Sequence, residues 1–299
     1  MSDSTTSTAP SPATSALDSI GAIGVVGGGT MGSGIVHNLL ASGFPVVLVE
    51  GDDASLTRAG GLVRSSVQGA ADRGKLAEGQ SVEGLLAELT ETTDRSSLAE
   101  CGLVIEAVPE ILELKRTLLA DIERHLPEQA VLATNTSSLS LRLMAEVLER
   151  PGRFLGTHFF NPVPVQKLLE MIRTDATDAD ALALVRALGD RMGKTVVEVR
   201  DSPGFATSRL GVLSGLEAIR MVEEGVASPQ DIDTAMELGY RYPMGPCKLG
   251  DLVGHDVRLG IAEYLASTLG SRFEPPQLLR DMVAEGKLGK KSGQGFYTW

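Results

Sequence analysis

Short runs of apolar, mostly β-branched residues alternate with longer stretches of helical periodicity over the first two thirds of the chain. Alternating strands and helices build a parallel sheet with helices on its faces, so this pattern predicts a doubly wound α/β domain. Six strands are predicted, over Ile23–Val26, Val46–Val49, Leu103–Val108, Val131–Thr134, Phe154–His158 and Thr195–Val199.

A crossover helix is predicted between the third and fourth of these strands. Apolar residues recur there at the spacing of one helix face, at Ile111, Leu114, Leu118 and Ile122. We expect this face to pack on the sheet.

The strand pattern stops at Asp201, and the remainder is typical of helices separated by proline-containing turns. The sequence therefore predicts a dinucleotide-type α/β domain over residues 21–200 and an all-helical domain over residues 201–299. A long helix is predicted from Ser208 to Gly225. Its apolar side, which belongs either to the core or to a dimer interface, carries Leu210, Leu213, Leu216 and Ile219.

The amino-acid composition argues against several classes of protein. Residues 1–20 are rich in Ser, Thr, Pro and Ala and lack the basic and apolar regions of a signal peptide, which predicts a disordered tail. No apolar run approaches the roughly 20 residues that span a bilayer. A net charge of −12 disfavours nucleic acid as a partner. Cys101 and Cys247 lack metal-ligand spacing, so we expect reduced thiols, no metal site and a cytoplasmic protein.

A glycine-rich turn follows the first predicted strand and opens a helix. In IGVVGGGTMGSG, Gly27, Gly29 and Gly32 form a G-x-G-x-x-G pattern that encloses Thr30 and Met31. The first glycine permits the tight turn, the second lets the backbone approach a pyrophosphate, and the third allows close packing of helix on strand. These five residues predict a Rossmann-type dinucleotide site; a glycine-rich turn without a ligand is the alternative.

Glu50 ends the second predicted strand, 23 positions after Gly27. An acid at this place accepts hydrogen bonds from the adenosine ribose. Gly51, Asp52 and Asp53 follow, so the sequence offers no nearby cation for a 2′-phosphate, and we predict NAD rather than NADP. The alternative is a solvated acid at a strand end.

His158, at the end of the fifth predicted strand, is the candidate for proton transfer. Oxidising a secondary alcohol needs a base for the hydroxyl proton while hydride leaves the same carbon, and an imidazole serves in both directions. Beside Phe159 and Phe160, a histidine of the apolar core is the second interpretation. A carboxylate such as Glu170 would fix the imidazole tautomer.

Six longer motifs extend from the fourth predicted strand to the end of the chain. They are NTSSL at Asn135, GTHFFNPVPVQKLLE at Gly156, DSPGF at Asp201, DIDTAMELG at Asp231, YPMGP at Tyr242 and KLGKKSGQGFY at Lys287. Together they resemble the 3-hydroxyacyl-CoA dehydrogenase family, which includes the 3-hydroxybutyryl-CoA dehydrogenases. The resemblance covers nearly the whole chain after the tail, including the spacing of Ser137, His158 and Glu170.

The resemblance implies roles for single residues. His158 is the general acid and base, Glu170 pairs with it, and Ser137 contacts the substrate oxygen beside the nicotinamide. Composition alone makes Ser137 a loop or cap residue. The implied cofactor contacts are Glu110, Lys115, Asn161 and Lys291. A first-turn helix acid remains the alternative for Glu110, and a solvated basic cluster the alternative for Lys291.

The chain departs from the family pattern at three places. Ser208 stands where the family has a catalytic asparagine, which replaces an amide donor by one hydroxyl on a short stem. The lysines that meet the CoA phosphates in the family are depleted, since the segment reads RSSVQGAADRGKL from Arg64. Arg241 precedes YPMGP where small residues are common, which favours a short or polar acyl group.

The sequence as a whole predicts an NAD-dependent oxidoreductase that interconverts an L-3-hydroxyacyl thioester and its 3-oxoacyl form. CoA or an acyl carrier protein is the carrier, and the second option would use Arg58, Arg64, Arg73 and Lys75 against an acidic partner surface. A dehydrogenase of free hydroxy acids and a non-catalytic, crystallin-like dinucleotide-binding protein are the alternatives. The resemblance also implies a homodimer formed by the helical domain.

Overall fold

The computed structural model describes residues 17–299, so the part of the predicted tail over residues 1–16 lies outside the described residues. The contacts within the chain define two compact units, the first ending at Asp201 and the second running from Ser202 to Trp299. The first is an α/β unit and the second is built of helices.

One sheet of eight strands forms the centre of the first unit. Its strands are β1 Ala22–Val26, β2 Val46–Val49, β3 Leu89–Thr92, β4 Cys101–Glu106, β5 Val131–Asn135, β6 Phe154–Phe159, β7 Leu168–Arg173 and β8 Thr195–Arg200. Their order is β3-β2-β1-β4-β5-β6-β7-β8. All neighbours pair in parallel except β6 and β7, which are antiparallel. The predicted Rossmann-type α/β fold is confirmed.

Two strands, β3 and β7, were not predicted. Strand β3 is four residues long and reads LTET, so it lacks the apolar run that marks a buried strand. Strand β7 reads LLEMIR and carries an acid in its buried centre. The local sequence did not predict either strand, because the partners of their polar residues lie far away in the sequence.

Helices connect these strands and cover the sheet. They are α1 Thr30–Ala41, α2 Asp53–Asp72, α3 Val82–Ala87, α4 Leu112–His125, α5 Leu141–Ala145 and α6 Ala179–Arg191. Helix α2 begins where Asp52 accepts a hydrogen bond from the Ser55 backbone N–H at 2.8 Å. This cap satisfies one of the open N–H groups of the first turn.

The crossover helix α4 lies where it was predicted, but the face that it buries was predicted correctly only at Ile122. Ile111 and Leu114 are exposed, whereas Lys115, Leu119 and Ile122 are buried. Residues separated by three and four positions line two adjacent faces of this helix, so the spacing alone does not show which face is buried. The face carrying the lysine was passed over because a buried cation requires a partner that the local pattern does not reveal.

Residues 17–20 belong to the folded unit and not to the tail. Leu17 is only 2% exposed and lies in the core of the first unit. The Gly102 backbone N–H, next to the start of β4, donates to the carbonyl of Ile20 at 2.9 Å. The predicted end of the tail at residue 20 is therefore corrected, because an apolar anchor lies among its polar residues.

The second unit consists of helices, as predicted. They are α7 Thr207–Glu223, α8 Pro229–Tyr240, α9 Pro246–Val253, α10 His255–Leu269 and α11 Gln277–Ala284. Val212, Leu216 and Ile219 of α7 are buried in its core, whereas Leu210 is 68% exposed. The predicted apolar side of α7 is thus divided between core and surface. Within residues 17–299, no helix is both long and apolar enough to cross a membrane.

Leu17→Ala tests whether the chain is part of the fold from this residue onward. We expect the free energy of unfolding in urea to fall by about 2 to 5 kcal/mol, because the substitution leaves a cavity in the core. Leu62→Ala is the matched control, since Leu62 of α2 is 46% exposed. Equal effects of the two substitutions would show that Leu17 is not an anchor.

Candidate active site

The glycine-rich turn lies between β1 and α1 and has the shape of a phosphate cradle. Gly27 has a φ of +94°, and a Cβ on Gly32 would lie 1.8 Å from the Gly27 carbonyl oxygen. A Cβ on Gly29, in contrast, would meet nothing within 4 Å. Among residues 17–299 no side chain caps α1, and its first turn, with Thr30 and Met31, has no acid. The open backbone and positive helix end fit the pyrophosphate of a dinucleotide.

Glu50 lies directly beside this turn, at the carboxyl end of β2. Its Oε1 accepts a hydrogen bond from the Gly28 backbone N–H at 2.6 Å. A cleft of about 240 Å³ opens next to this carboxylate. Residues that line the cleft include Gly27, Ser55, Val108, Leu114 and Leu118. Leu114 and Leu118 of α4 therefore form an apolar wall of this cleft, beside the acid predicted to bind the adenosine ribose.

The cleft also contains a cation that the sequence did not place there. Arg95 lines it together with Glu50 and Asp52. The prediction that no cation lies near the adenosine end is wrong. Arg95 follows β3, the strand that was missed, and the pairing of Val49 with Thr92 carries the chain back to the end of β2.

His158 and Glu170 form a buried pair across β6 and β7. The two residues are directly opposite in the antiparallel register, and His158 Nδ1 lies 2.7 Å from Glu170 Oε2. Both side chains are buried. The imidazole also packs on the Phe160 ring, with 4.3 Å between the ring centroids. A carboxylate at Nδ1 fixes the tautomer so that Nε2 is the nitrogen that takes or gives a proton.

A second buried pair, Glu106 with Lys115, ties the neighbouring strands together. Lys115 Nζ donates to Glu106 Oε1 at 2.8 Å and Oε2 at 3.0 Å, and both side chains are 0% exposed. The same ammonium donates to the Asn135 carbonyl at 2.9 Å. Asn135 Oδ1 in turn accepts from the Phe159 backbone N–H at 3.1 Å. The pair thus supports the ends of β5 and β6 next to His158.

Glu110 anchors the loop that carries Ser137. Its Oε1 accepts from Thr136 Oγ1 at 2.6 Å and from the Ser137 backbone N–H at 2.8 Å. Its other oxygen lies 3.8 Å from Lys115 Nζ. Because β5 and β6 are parallel, this loop and His158 lie at the same edge of the sheet. Glu110 and Lys115 therefore support the site from within the protein, and their contacts with the cofactor stay predictions.

Lys194 holds the loop that joins the two strands of the histidine pair. Its Nζ donates to the carbonyls of Val163 and Gln166, which belong to the segment between β6 and β7. Burial lowers the pKa of Lys194 to about 8, because its partners are neutral carbonyl oxygens. Asn161, a predicted cofactor contact, lies near the start of this segment and is exposed. Lys194 was missed because nothing in its local sequence marks it.

The two remaining predicted site residues belong to the second unit. Ser208 lies in the first turn of α7 and is partly exposed. Lys291 lies near the end of the chain, where its ammonium pairs with the Asp256 carboxylate at 2.5 Å. Their roles toward the substrate and the cofactor stay predictions.

Comparison with known families decides the membership of the chain. A model of the NAD-binding domain of 3-hydroxyacyl-CoA dehydrogenase matches residues 22–202, and a model of the C-terminal domain of 3-hydroxyacyl-CoA dehydrogenase matches residues 204–299. The chain belongs to the 3-hydroxyacyl-CoA dehydrogenase family. The resemblance seen in the motifs is confirmed, and the cofactor is NAD. The glycine cradle and Glu50 are suited to hold it.

Relatives within the family match almost the full length of the chain. A 3-hydroxybutyryl-CoA dehydrogenase of Mycobacterium tuberculosis is 42% identical over 94% of this chain and 99% of its own. The crystal structure of an (S)-3-hydroxybutyryl-CoA dehydrogenase of Ralstonia eutropha is similar as well, with 39% sequence identity. The match covers 94% of this chain and 99% of the other, with a TM-score of 0.88. A 3-hydroxyadipyl-CoA dehydrogenase of Escherichia coli is 39% identical over 93% of this chain and 58% of its own.

Substitution of Lys115 tests the buried ion pair. Lys115→Met should lower the free energy of unfolding by about 3 to 5 kcal/mol, because the Glu106 carboxylate is left buried without its cation. Adding Glu106→Leu should recover part of this loss, since no charge then remains buried. Chemical denaturation followed by circular dichroism measures both.

Arg142→Ala is the control for this ion pair, because Arg142 is 71% exposed in its pair with Glu146. We expect it to change the free energy of unfolding by less than about 1 kcal/mol. A Lys115→Met effect no larger than this would contradict the proposed support of the site.

The lowered pKa of Lys194 predicts a pH-dependent stability. Between its folded pKa of about 8 and its ordinary value of 10.5, the unfolded chain retains a proton that the folded protein has lost. The stability contribution of this group therefore rises with pH across that window, by about 1.4 kcal/mol per pH unit for one group. Below pH 8 the Lys194 ammonium is charged in the folded protein too, so the full free-energy cost of burying this charge is present.

Urea unfolding at pH 8 and pH 9.5, compared between the wild type and Lys194→Met, measures this effect. The wild type should gain about 1 to 2 kcal/mol more than the variant, because methionine does not titrate. Lys194→Arg, which stays charged, should follow the variant. Parallel pH profiles of the three proteins would contradict the assignment.

Proposed function

We propose that the protein catalyses the NAD-dependent interconversion of L-3-hydroxyacyl and 3-oxoacyl thioesters with a short or polar acyl group. The observation that supports this most is the 2.7 Å contact of His158 Nδ1 with the buried Glu170 carboxylate. The pair lies in the same unit as the glycine cradle of β1 and α1. A base and a dinucleotide cradle together meet the needs of alcohol oxidation.

The chemistry follows from the state of the imidazole. NAD, when bound, supplies the acceptor for the hydride that leaves C3 of the substrate. His158 Nε2 takes the proton of the C3 hydroxyl as the C–O bond becomes a carbonyl, so one hydride and one proton leave the alcohol. Glu170 holds the Nδ1 proton and stabilises the imidazolium that forms. In the reverse direction the same nitrogen returns the proton to the developing alkoxide.

Two hydroxyl side chains would orient the substrate. Ser137 stands at the sheet edge that His158 occupies, in a loop whose backbone Glu110 holds. We assign it the contact with the substrate oxygen at C3. Ser208 would take the place of the family asparagine, with a shorter donor that a water molecule extends.

A short or polar acyl group fits the departures from the family pattern. The related proteins include dehydrogenases named for the 3-hydroxybutyryl and 3-hydroxyadipyl groups. Arg241 ends α8 in the left-handed region, with a φ of +59°. An exposed guanidinium held at a helix end would favour a polar or carboxylate-bearing acyl tail over a long alkyl chain.

CoA is the carrier that the names of the relatives favour. The cations along α2 are few, and Arg64 is already paired with Glu91. Acyl carrier protein is therefore the second candidate, with Arg58, Arg73 and Lys75 as the basic contacts.

We further propose that the protein acts as a homodimer in the cytoplasm. Leu210 of α7, Leu238 of α8 and Val253 of α9 are exposed on the second unit and offer apolar side chains for such a contact. Cys101 and Cys247 are free and buried thiols, which suits a reducing compartment.

The activity is tested by following NADH oxidation with acetoacetyl-CoA. His158→Ala should lower kcat by about 10² to 10⁴-fold, because general acid catalysis is lost. His125→Ala is the matched control, since His125 lies at the end of α4 and should leave turnover unchanged. Glu170→Gln should lower kcat as well, because the amide cannot stabilise an imidazolium.

Three outcomes would redirect this proposal. Turnover that survives His158→Ala would remove the histidine from the reaction. A folded protein that binds NADH and reduces acetoacetyl groups only on acyl carrier protein would exclude CoA as the carrier. A protein that binds NADH and turns over neither would be a non-catalytic member of the family.

A further inference from the structure

Arg95 is placed beside the adenosine end of the cofactor cleft by sheet pairing. It opens a short 3₁₀ helix, Arg95–Glu100, whose cap residue Asp94 accepts from the Ser96 backbone N–H at 2.9 Å. The preceding strand β3 pairs with β2, and the Glu50 backbone N–H donates to the Thr92 carbonyl at 3.1 Å. The chain therefore returns to the cleft at a fixed point, 45 residues after Glu50.

The guanidinium of Arg95 is only partly satisfied by the protein. Its Nη1 donates to Asp121 Oδ2 on α4 at 2.9 Å, which fixes the side chain against this helix. Its Nε is buried and has no hydrogen-bond partner among residues 17–299. The side chain is 38% exposed. An anchored guanidinium that is partly exposed and lines an open cleft can offer its planar face to a ligand.

The other walls of the cleft indicate which group this is. Glu50 and Asp52 line the cleft, and the negative charges of these two carboxylates would repel a phosphate group bound there. Val108, Leu114 and Leu118 give it apolar surface. A neutral, flat and aromatic group fits this combination, and a planar guanidinium stacks on such a ring.

Arg95 is also accessible from its outer side. Arg95, Leu114 and Leu118 line a second hollow, of about 530 Å³, that adjoins the cleft along α4. These three side chains therefore form a wall with open space on both sides.

We propose that Arg95 stacks its guanidinium on the adenine ring of NAD. Asp121 holds the side chain in place, so that a face of the planar guanidinium can meet the ring. Arg95 is thus a binding residue for the adenosine half of the cofactor. It takes no part in the hydride and proton transfers beside His158, and the proposal does not depend on which acyl group the enzyme uses.

Equilibrium binding of cofactor fragments to the full chain tests this role. For Arg95→Ala we expect the Kd of NADH and that of ADP-ribose to rise together by about 10-fold, within the range of base stacking. The Kd of reduced nicotinamide mononucleotide should stay unchanged, because this fragment lacks adenine. At saturating NADH, kcat should fall less than about twofold while the KM for NADH rises with the Kd.

Two further variants separate stacking from charge. Arg95→Lys keeps the charge without the planar group, so it should bind NADH almost as weakly as Arg95→Ala. Arg142→Ala removes an exposed arginine of α5 and should bind like the wild type. Thermal unfolding of each protein without cofactor checks the fold, and Arg95→Gln, which keeps the length of the stem, replaces Arg95→Ala if alanine lowers the Tm.

Several results would overturn the proposal. Binding of NADH by both Arg95→Ala and Arg95→Gln within twofold of the wild type would remove Arg95 from the site. Full recovery of affinity in Arg95→Lys would show a charge effect instead of stacking. A loss for NADPH larger than that for NADH would assign Arg95 to a 2′-phosphate, and an equal loss for the nicotinamide mononucleotide would show a merely structural role.

Discussion

The buried ion pair of Glu106 and Lys115 is the interaction on which the functional edge of the sheet depends. Two opposite charges that are buried away from water are stable only when each has hydrogen-bond partners. Here the Lys115 ammonium also donates to the Asn135 carbonyl. Asn135 then accepts from the backbone N–H of Phe159. The helix α4 and the strands β4, β5 and β6 are thereby joined at one place, next to His158. Glu110 extends this support to the loop of Ser137.

The reversal of strand direction between β6 and β7 supplies the second constraint. In a parallel pair the partner of His158 would come from a distant part of the chain, whereas the antiparallel pair brings Glu170 opposite His158 after only 12 residues. Side chains on facing positions of neighbouring strands project to the same side of the sheet. The short connection is in turn held by Lys194. The residues proposed for proton transfer therefore lie on β6 and β7, while the predicted cofactor cradle lies on β1, β2 and α1.

The sequence predicted the parts of the site that are encoded locally. The glycine turn, the acid at the end of β2 and the identity of the histidine all stand in continuous motifs, and the family membership that these motifs suggested is confirmed. The buried face of α4 was predicted only in part, because Leu114 and Lys115 exchange the roles that hydropathy assigns to them. The lysine is buried because Glu106 is its partner, and the leucine is exposed because it lines the cleft beside Glu50.

By itself, the sequence determined the alternation of strands and helices, the helical second unit and the dinucleotide turn, because each follows from residues within about one element of each other. Only the tertiary structure decided that β7 reverses direction, that Lys115 and Lys194 are internal supports, and that Arg95 lies beside Glu50. These features join residues that are far apart in the chain. Register and packing bring them together, and no local periodicity records which polar side chain will find a buried partner.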